Sequence, residues 1–354
     1  MVSIILNHLQ WYPSGFDIVA ARGSLFVSAA EGFFIISGIL LGIVRGRNML
    51  QLPFKVSALK VLGRGAKLYV VAVVLMLLFT FVGWFFMDNP GLKAGIRPTD
   101  EPLLAIIMGA LSFDYIYGWA DFLRLYAIFL IMSPLALWLL RKGKWYIVMA
   151  ASIALWSVFP WALETTGHSA ELLMPLSWQL IFFGGLTIGF HWVDIKRWWD
   201  RLAKKTQRYI LIPILSAAVI TLAANLVFTV LSTVELGSPA AVALYDTIHH
   251  TIFNKEALTI QRLGLFALWF TLGLFIFTRY EKHITKWFGW ILLPFGSNSL
   301  YVYILHAIVL FFAHLLLAPI NSTSFVINFI GSVLVVGLIL LAVRTKFLFK
   351  VIPR

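Results

Sequence analysis

The sequence predicts an all-α, polytopic integral membrane helix bundle, and three observations carry that expectation. Of 354 residues 61% are hydrophobic, 16% aromatic and only 12% charged, with a mean hydropathy of +0.91. A soluble domain holds about 45–50% apolar and about 25% charged residues, which this composition excludes. The apolar runs are continuous rather than alternating, which selects helices over an outer-membrane barrel. Basic residues are concentrated on every second link, the pattern that the positive-inside rule gives a multi-pass chain. No soluble domain, repeat or low-complexity segment interrupts the pattern, so one membrane-embedded domain over 1–354 is expected. The absence of Cys removes disulfide, thiol-nucleophile and thiolate-metal chemistry. No cleavable signal peptide is visible, and a bacterial inner membrane is the expected location.

Residues 1–12 are apolar but shorter than the roughly 20 residues a crossing helix needs, and are read as a truncated first span. Nine further spans are expected at about 25–44, 68–87, 122–140, 145–161, 176–193, 210–231, 259–278, 291–316 and 325–343. That makes about ten spans with both ends cytoplasmic. One set of links carries Arg45, Arg47, Lys55, Lys60, Arg64 and Lys67, then Arg141, Lys142 and Lys144, then 194–208, then Arg279, Lys282 and Lys286, and finally the tail from Arg344 to Arg354. Those links hold 22 of the 28 basic residues and are assigned to the cytoplasm. The opposite links hold Asp88, Asp100, Glu101, Glu164, Glu171, Glu235, Asp246 and Glu256. The formal charge of +13 is therefore a topology signal, and nucleic acid is not an expected partner.

Residues 102–118 would invert everything downstream if they crossed. They are read as an outer helix in the interface, with Asp114, Tyr115, Tyr117 and Trp119 at headgroup level. Gly38 and Gly42 form a small-xxx-small pair that lets another helix approach. Ser297, Asn298 and Ser299 can cap the ninth span. His249 and His250 are adjacent on the chain and point about 100° apart on a helix, so no metal site is expected there.

Ionisable groups inside spans are costly and are functional candidates. They are His8, Glu31, Asp121, Arg124, His191, Arg262, His306 and His314. A His beside a carboxylate is the smallest arrangement that activates a hydroxyl, and His8 and Glu31 are separated by one short outer loop. A helix-packing histidine is an equally good reading of His8. The cations from Arg45 to Lys67 suit lipid contact and orientation, or a phosphorylated donor, Arg64 and Lys67 sharing a helix face. No phosphate-binding loop, nucleophile elbow or zinc-protease motif occurs.

Several motifs in order carry a resemblance. Asn7-His8 is followed by Ala30-Glu31-Gly-Phe-Phe-Ile-Ile-Ser37-Gly38 and by Arg64-x-x-Lys67-Leu-Tyr. Asp121-Phe-Leu-Arg124-Leu-Tyr126, Trp178-Gln179-Leu, Asn254-Lys255 through Arg262-Leu and Gly296-x-x-Ser299-Leu-Tyr-Val-Tyr-x-Leu-His306 complete the set. The chain resembles the acyltransferase family 3 membrane enzymes, most of all the succinyltransferases of periplasmic glucans, over nearly its whole length. The resemblance implies transfer of a succinyl or acetyl group from a cytoplasmic acyl-CoA to a hydroxyl of an extracytoplasmic glycan, with no permanently bound cofactor and no metal. It makes His8 the catalytic base or acyl acceptor and Glu31 the residue that orients it or lines the acceptor site. Arg64 and Lys67, with Arg45 and Arg47, become donor-binding residues, and Asp121, Arg124, Arg262 and His306 acceptor-side candidates. Two features depart from the family pattern. The basic-and-acidic motif before the first-span histidine is absent, and Lys67 replaces the second Arg of Arg-x-x-Arg, keeping charge without the bidentate fork.

Two other functions compete with the acyltransferase. A transporter or flippase for an anionic or glycan substrate predicts inverted repeats with broken helices, and no such symmetry is visible. A receptor or scaffold predicts no binding of CoA.

Overall fold

The structure is a computed structural model that describes residues 1–233, 239–317 and 324–353; Glu235 and Arg354 lie outside the described residues. The helices in chain order are α1 Val2–Leu9, α2 Asp17–Ala20, α3 Ala29–Leu41, α4 Phe54–Trp84, α5 Leu103–Ser112, α6 Asp121–Arg141, α7 Trp145–Thr166 and α8 Ala170–Phe190. Then follow α9 Trp192–Arg201, α10 Lys204–Thr233, α11 Pro239–Thr247, α12 Ile260–Arg279, α13 Glu281–Ser297, α14 Ser299–Leu317 and α15 Phe325–Arg344. Among the described residues nine helices are long and apolar enough to cross a membrane: α3 with its extension to Met49, α4, α6, α7, α8, α10, α12, α14 and α15. These are the nine expected spans, in an all-α multi-pass membrane protein. The helix expected not to cross is α5, whose ten residues are half of what a crossing needs.

The chain divides into two compact units, each assembled from segments distant in sequence. The first takes residues 1–22, 59–132 and 287–354; the second takes 23–58 and 133–286.

In the first unit α1 packs against α14 and α15, burying Ile4, Ile5, Leu6 and Leu9. The helix stops at Gln10, which turns into the left-handed region with its N–H bonded to the Leu6 carbonyl. His8 thereby sits in the last turn. α14 is buried on nearly every side from Leu300 to Ala307, as an all-round apolar helix must be. The expected caps at its start bond back into α13 instead. The Asn298 amide donates to the Pro294 carbonyl at 3.0 Å and Ser297 Oγ donates to Leu293 O at 2.7 Å. The tyrosines expected at headgroup level are folded inward. Tyr115 Oη shares a 2.8 Å hydrogen bond with Thr80 Oγ1, and Tyr117 Oη donates to the Lys93 carbonyl at 2.9 Å. Burial, chiefly, pushes both phenols above their ordinary value.

In the second unit α3 and α8 touch backbone to backbone. A methyl group at Gly38 would strike the Phe182 carbonyl, and one at Gly42 the Leu186 carbonyl. The reciprocal pair on α8 is Gly185 and Gly189, facing the carbonyls of Ile35 and Ile39. The small-xxx-small pair read in the sequence is thus a helix-packing seam, and its partner is a second such pair. α3 is opened by a capping box. Ser28 Oγ accepts from Ala30 N at 3.3 Å, while the Glu31 carboxylate accepts from Ser28 N at 3.0 Å.

Candidate functional site

The buried polar side chains of the two units form two separate clusters. In the first unit His8 Nδ1 lies 3.1 Å from His306 Nε2, with the rings 28° from coplanar. His306 is completely buried, and its Nδ1 hydrogen-bonds the carbonyl of Tyr303, one turn back on α14. A carbonyl only accepts, so His306 Nδ1 carries the hydrogen. In a neutral imidazole Nε2 is then the acceptor, and the hydrogen between the two rings belongs to His8 Nδ1. That leaves the lone pair of His8 on Nε2. The chain reads His8 Nδ1–H to His306 Nε2, then His306 Nδ1–H to Tyr303 O. It has the logic of a base whose tautomer is set by a second group, with an imidazole in the orienting place instead of a carboxylate.

Asp121 opens α6 near this pair. Its Oδ1 accepts from Tyr303 Oη at 3.4 Å, and Tyr303 packs edge-on against His306 at 4.6 Å. Arg124, one turn further and 3% exposed, directs Nη1 toward the Phe113 carbonyl at 3.4 Å. Asp121 thus joins the histidine cluster through Tyr303, whereas Arg124 is directed to the α5 end.

The second cluster holds Glu31 and Arg262, 0% and 1% exposed. Arg262 Nε donates to Glu31 Oε1 at 2.6 Å, and Nη2 reaches the same oxygen. The other oxygen, Oε2, takes the Ser28 hydroxyl at 2.5 Å as well as its N–H. Arg262 Nη1 donates to the Phe253 carbonyl at 2.9 Å. Around them, Trp178 Nε1 donates to Lys255 O at 3.0 Å, and Phe26 stacks on Phe253 at 4.5 Å. This is a well-bonded ion pair that ties the start of α3 to the start of α12 and to the 253–259 turn. Sequence reasoning set Glu31 beside His8; the partner that the structure gives Glu31 is Arg262, and the partner it gives His8 is His306.

The four candidate donor cations divide in the same way. In the second unit Arg47 pairs with Asp194 at 3.1 Å, and Arg45 reaches Met49 Sδ at 3.7 Å while its carbonyl accepts from Ser57 Oγ at 2.5 Å. In the first unit Arg64 and Lys67 lie one turn apart on α4. Arg64 Nε is buried with no hydrogen-bond partner, and Lys67 lines a cavity of about 920 Å³. That cavity also touches Asn298 at the start of α14. His306 stands two turns further along the same helix, about 10 Å up its axis. Tyr303, whose carbonyl fixes the His306 tautomer, was not among the candidate site residues, and Asn298, read in the sequence only as a helix cap, lies at the cavity. The only local signal for Tyr303 is its i, i+3 spacing from His306.

Against known proteins, a family model described as OpgC protein matches residues 1–351. No curated protein matches, and no solved structure does. The matched residues include all the clusters just described. The chain belongs to the OpgC protein family, the family of periplasmic glucan succinyltransferases.

Proposed function

We propose that this protein is a membrane O-acyltransferase that moves a succinyl group from succinyl-CoA to a hydroxyl of an extracytoplasmic glucan. The observation that carries the reading is the His8–His306–Tyr303 hydrogen-bond chain, which leaves a lone pair on His8 Nε2. The basic links face the cytoplasm of a bacterial inner membrane, and the donor enters there.

In this account His8 Nε2 takes the proton of the sugar hydroxyl as its oxygen attacks the thioester carbon. The tetrahedral oxyanion then collapses, the C–S bond breaks, and the departing thiolate takes the proton from His8 Nε2 and leaves as CoA. The new ester bond joins the acyl carbon to the sugar oxygen. While His8 holds the proton, its Nδ1–H stays bonded to His306, which spreads the added charge toward the Tyr303 carbonyl. Arg64 and Lys67 hold donor phosphates; in the other unit Arg45 and Arg47 bond within their own segment and to Asp194. Asp121 fixes Tyr303 and so acts on the acceptor side through that ring. Because the Glu31 carboxylate is engaged by Arg262 and Ser28, that pair is assigned to holding the start of α3 on the start of α12. Arg124 is assigned a like role at the α5 end.

The test is incubation of the purified protein in lipid nanodiscs with succinyl-CoA labelled in the succinyl group and a periplasmic glucan. Label is expected in the glucan as an alkali-labile ester. Uptake of glucan or donor by reconstituted vesicles, with no covalent label, would contradict the reading and favour transport.

A further inference from the structure

The residues after α15 fold back onto the first unit. α15 ends in a Schellman arrangement: Phe347 N–H bonds Ala342 O at 2.9 Å and Lys346 N–H bonds Val343 O at 3.3 Å, with Lys346 in the left-handed region at φ 57°. Leu348 is also left-handed, at φ 52°. Two such non-glycine residues in three positions are disfavoured unless the surroundings hold them. Tyr301 of α14 supplies that hold. Its hydroxyl donates to the Phe347 carbonyl at 2.6 Å, and its ring meets Phe349 edge-on at 4.6 Å. Ile352 is then buried at 8% exposure.

The clamped segment forms one wall of the 920 Å³ cavity, and Lys350 is on that wall. The wall contributed by α4 carries Lys67, and Ser297 and Asn298 add polar groups at the α13–α14 junction. No acidic residue is among the described residues that line it. Two ammonium groups lining one cavity whose described lining holds no counter-charge repel each other, and a polyanion in that cavity removes the repulsion.

We propose that Lys350 is a ligand for the phosphate groups of the acyl-CoA donor in the cavity it shares with Lys67, and that the 347–353 segment is a fixed wall of the donor site. The assignment rests on the donor reading given above and adds to it a residue supplied by a different part of the chain. Tyr301 is a positioning residue in it, because it acts only by holding the segment that bears Lys350. An anionic lipid headgroup would present the same phosphate chemistry, so the test separates the two sources.

The probe is free CoA, titrated into the full-length protein in phosphatidylcholine nanodiscs. Lys350→Glu is expected to weaken CoA binding by about tenfold or more, as loss and reversal of a charge-assisted phosphate contact requires. Lys350→Arg is expected to stay within about threefold of the parent, and Tyr301→Phe to weaken binding by about threefold through the loosened segment. In turnover, Lys350→Glu raises the KM for succinyl-CoA with kcat nearly unchanged, a split that a general folding defect would not give. Because Lys350 is exposed, its variants leave the melting temperature unmoved. Unchanged CoA affinity in Lys350→Glu, with wild type binding normally, overturns the role of Lys350 while leaving the donor reading intact. Loss of phosphatidylglycerol enrichment around the protein in that variant, with CoA affinity unchanged, overturns it in favour of a lipid site. Failure of the wild type to bind CoA overturns the donor reading and this assignment together.

Discussion

His8 and His306 in one unit and Glu31 and Arg262 in the other are both polar pairs set among apolar helices, yet they are bonded to opposite effect. The Glu31 carboxylate is satisfied on both oxygens, by two guanidinium nitrogens and by Ser28. Full pairing is what burial of a charge demands, and it leaves no lone pair for a reaction. The two imidazoles are joined instead by one ring-to-ring hydrogen bond. Their directional chain ends on a carbonyl and leaves one ring nitrogen as a base. The lesson is that the more conspicuous charged pair is tied into the fold, while under the proposed reading the less conspicuous pair of imidazoles serves proton transfer.

The comparison can be broken at either pair. The largest effect is expected for His8→Ala, which should lower kcat for succinyl transfer by about 10²–10⁴-fold with normal membrane insertion. His306→Phe removes the acceptor that sets the tautomer and should lower kcat by about 10²-fold. His306→Gln offers an amide oxygen to His8 and an N–H to Tyr303, and should recover most of that loss, as a purely space-filling role would not allow.

On the other side of the comparison, Glu31→Ala strands the Arg262 charge and should destabilise the protein by about 3–5 kcal/mol, read as a fall in melting temperature and yield. The double variant Glu31→Met with Arg262→Leu should recover most of that stability. If the double variant also keeps turnover, the ion pair is structural; a stable but inactive double variant would move Glu31 into the chemistry. Gly189→Ala drives a methyl into the Ile39 carbonyl at the α3–α8 seam and should cost about 1–3 kcal/mol.

The smallest effect concerns pH. Burial first, then the charges of Arg262 and His250, hold His249 below its ordinary value of 6.5. The folded ring refuses a proton that the unfolded ring accepts. Stability is therefore complete above pH 6.5 and declines as pH falls through the window below it. His249→Phe should flatten this slope between pH 7 and pH 5, measured by thermal melts in detergent.

Much of the fold was legible because a crossing helix writes itself as an uninterrupted apolar run of about 20 residues. The α5 helix was legible too, from charge parity alone, and its ten residues agree with that reading. Ser28-Ala-Ala-Glu31 even spells a capping box, although the reading took Glu31 as a catalytic carboxylate. The seam glycines Gly38 and Gly42 were read correctly as packing residues, but nothing local pairs them with Gly185 and Gly189. The pairing of His8 with His306 joins residues 298 positions apart, and no periodicity connects the last turn of α1 to the second turn of α14. Lys350 reads only as part of a basic tail, since its place in the cavity with Lys67 depends on how Tyr301 holds the chain after α15.

The most direct test of the account is the protonation pattern of His8 itself. Protein labelled with ¹⁵N-histidine, in bilayers at neutral pH, reports which ring nitrogens carry hydrogen, with His8 assigned by the signals lost in His8→Gln. The account requires a hydrogen on His8 Nδ1, a bare Nε2, and the same tautomer for His306. A hydrogen on His8 Nε2 with Nδ1 bare would contradict it, because the ring would then have no lone pair to offer the sugar hydroxyl.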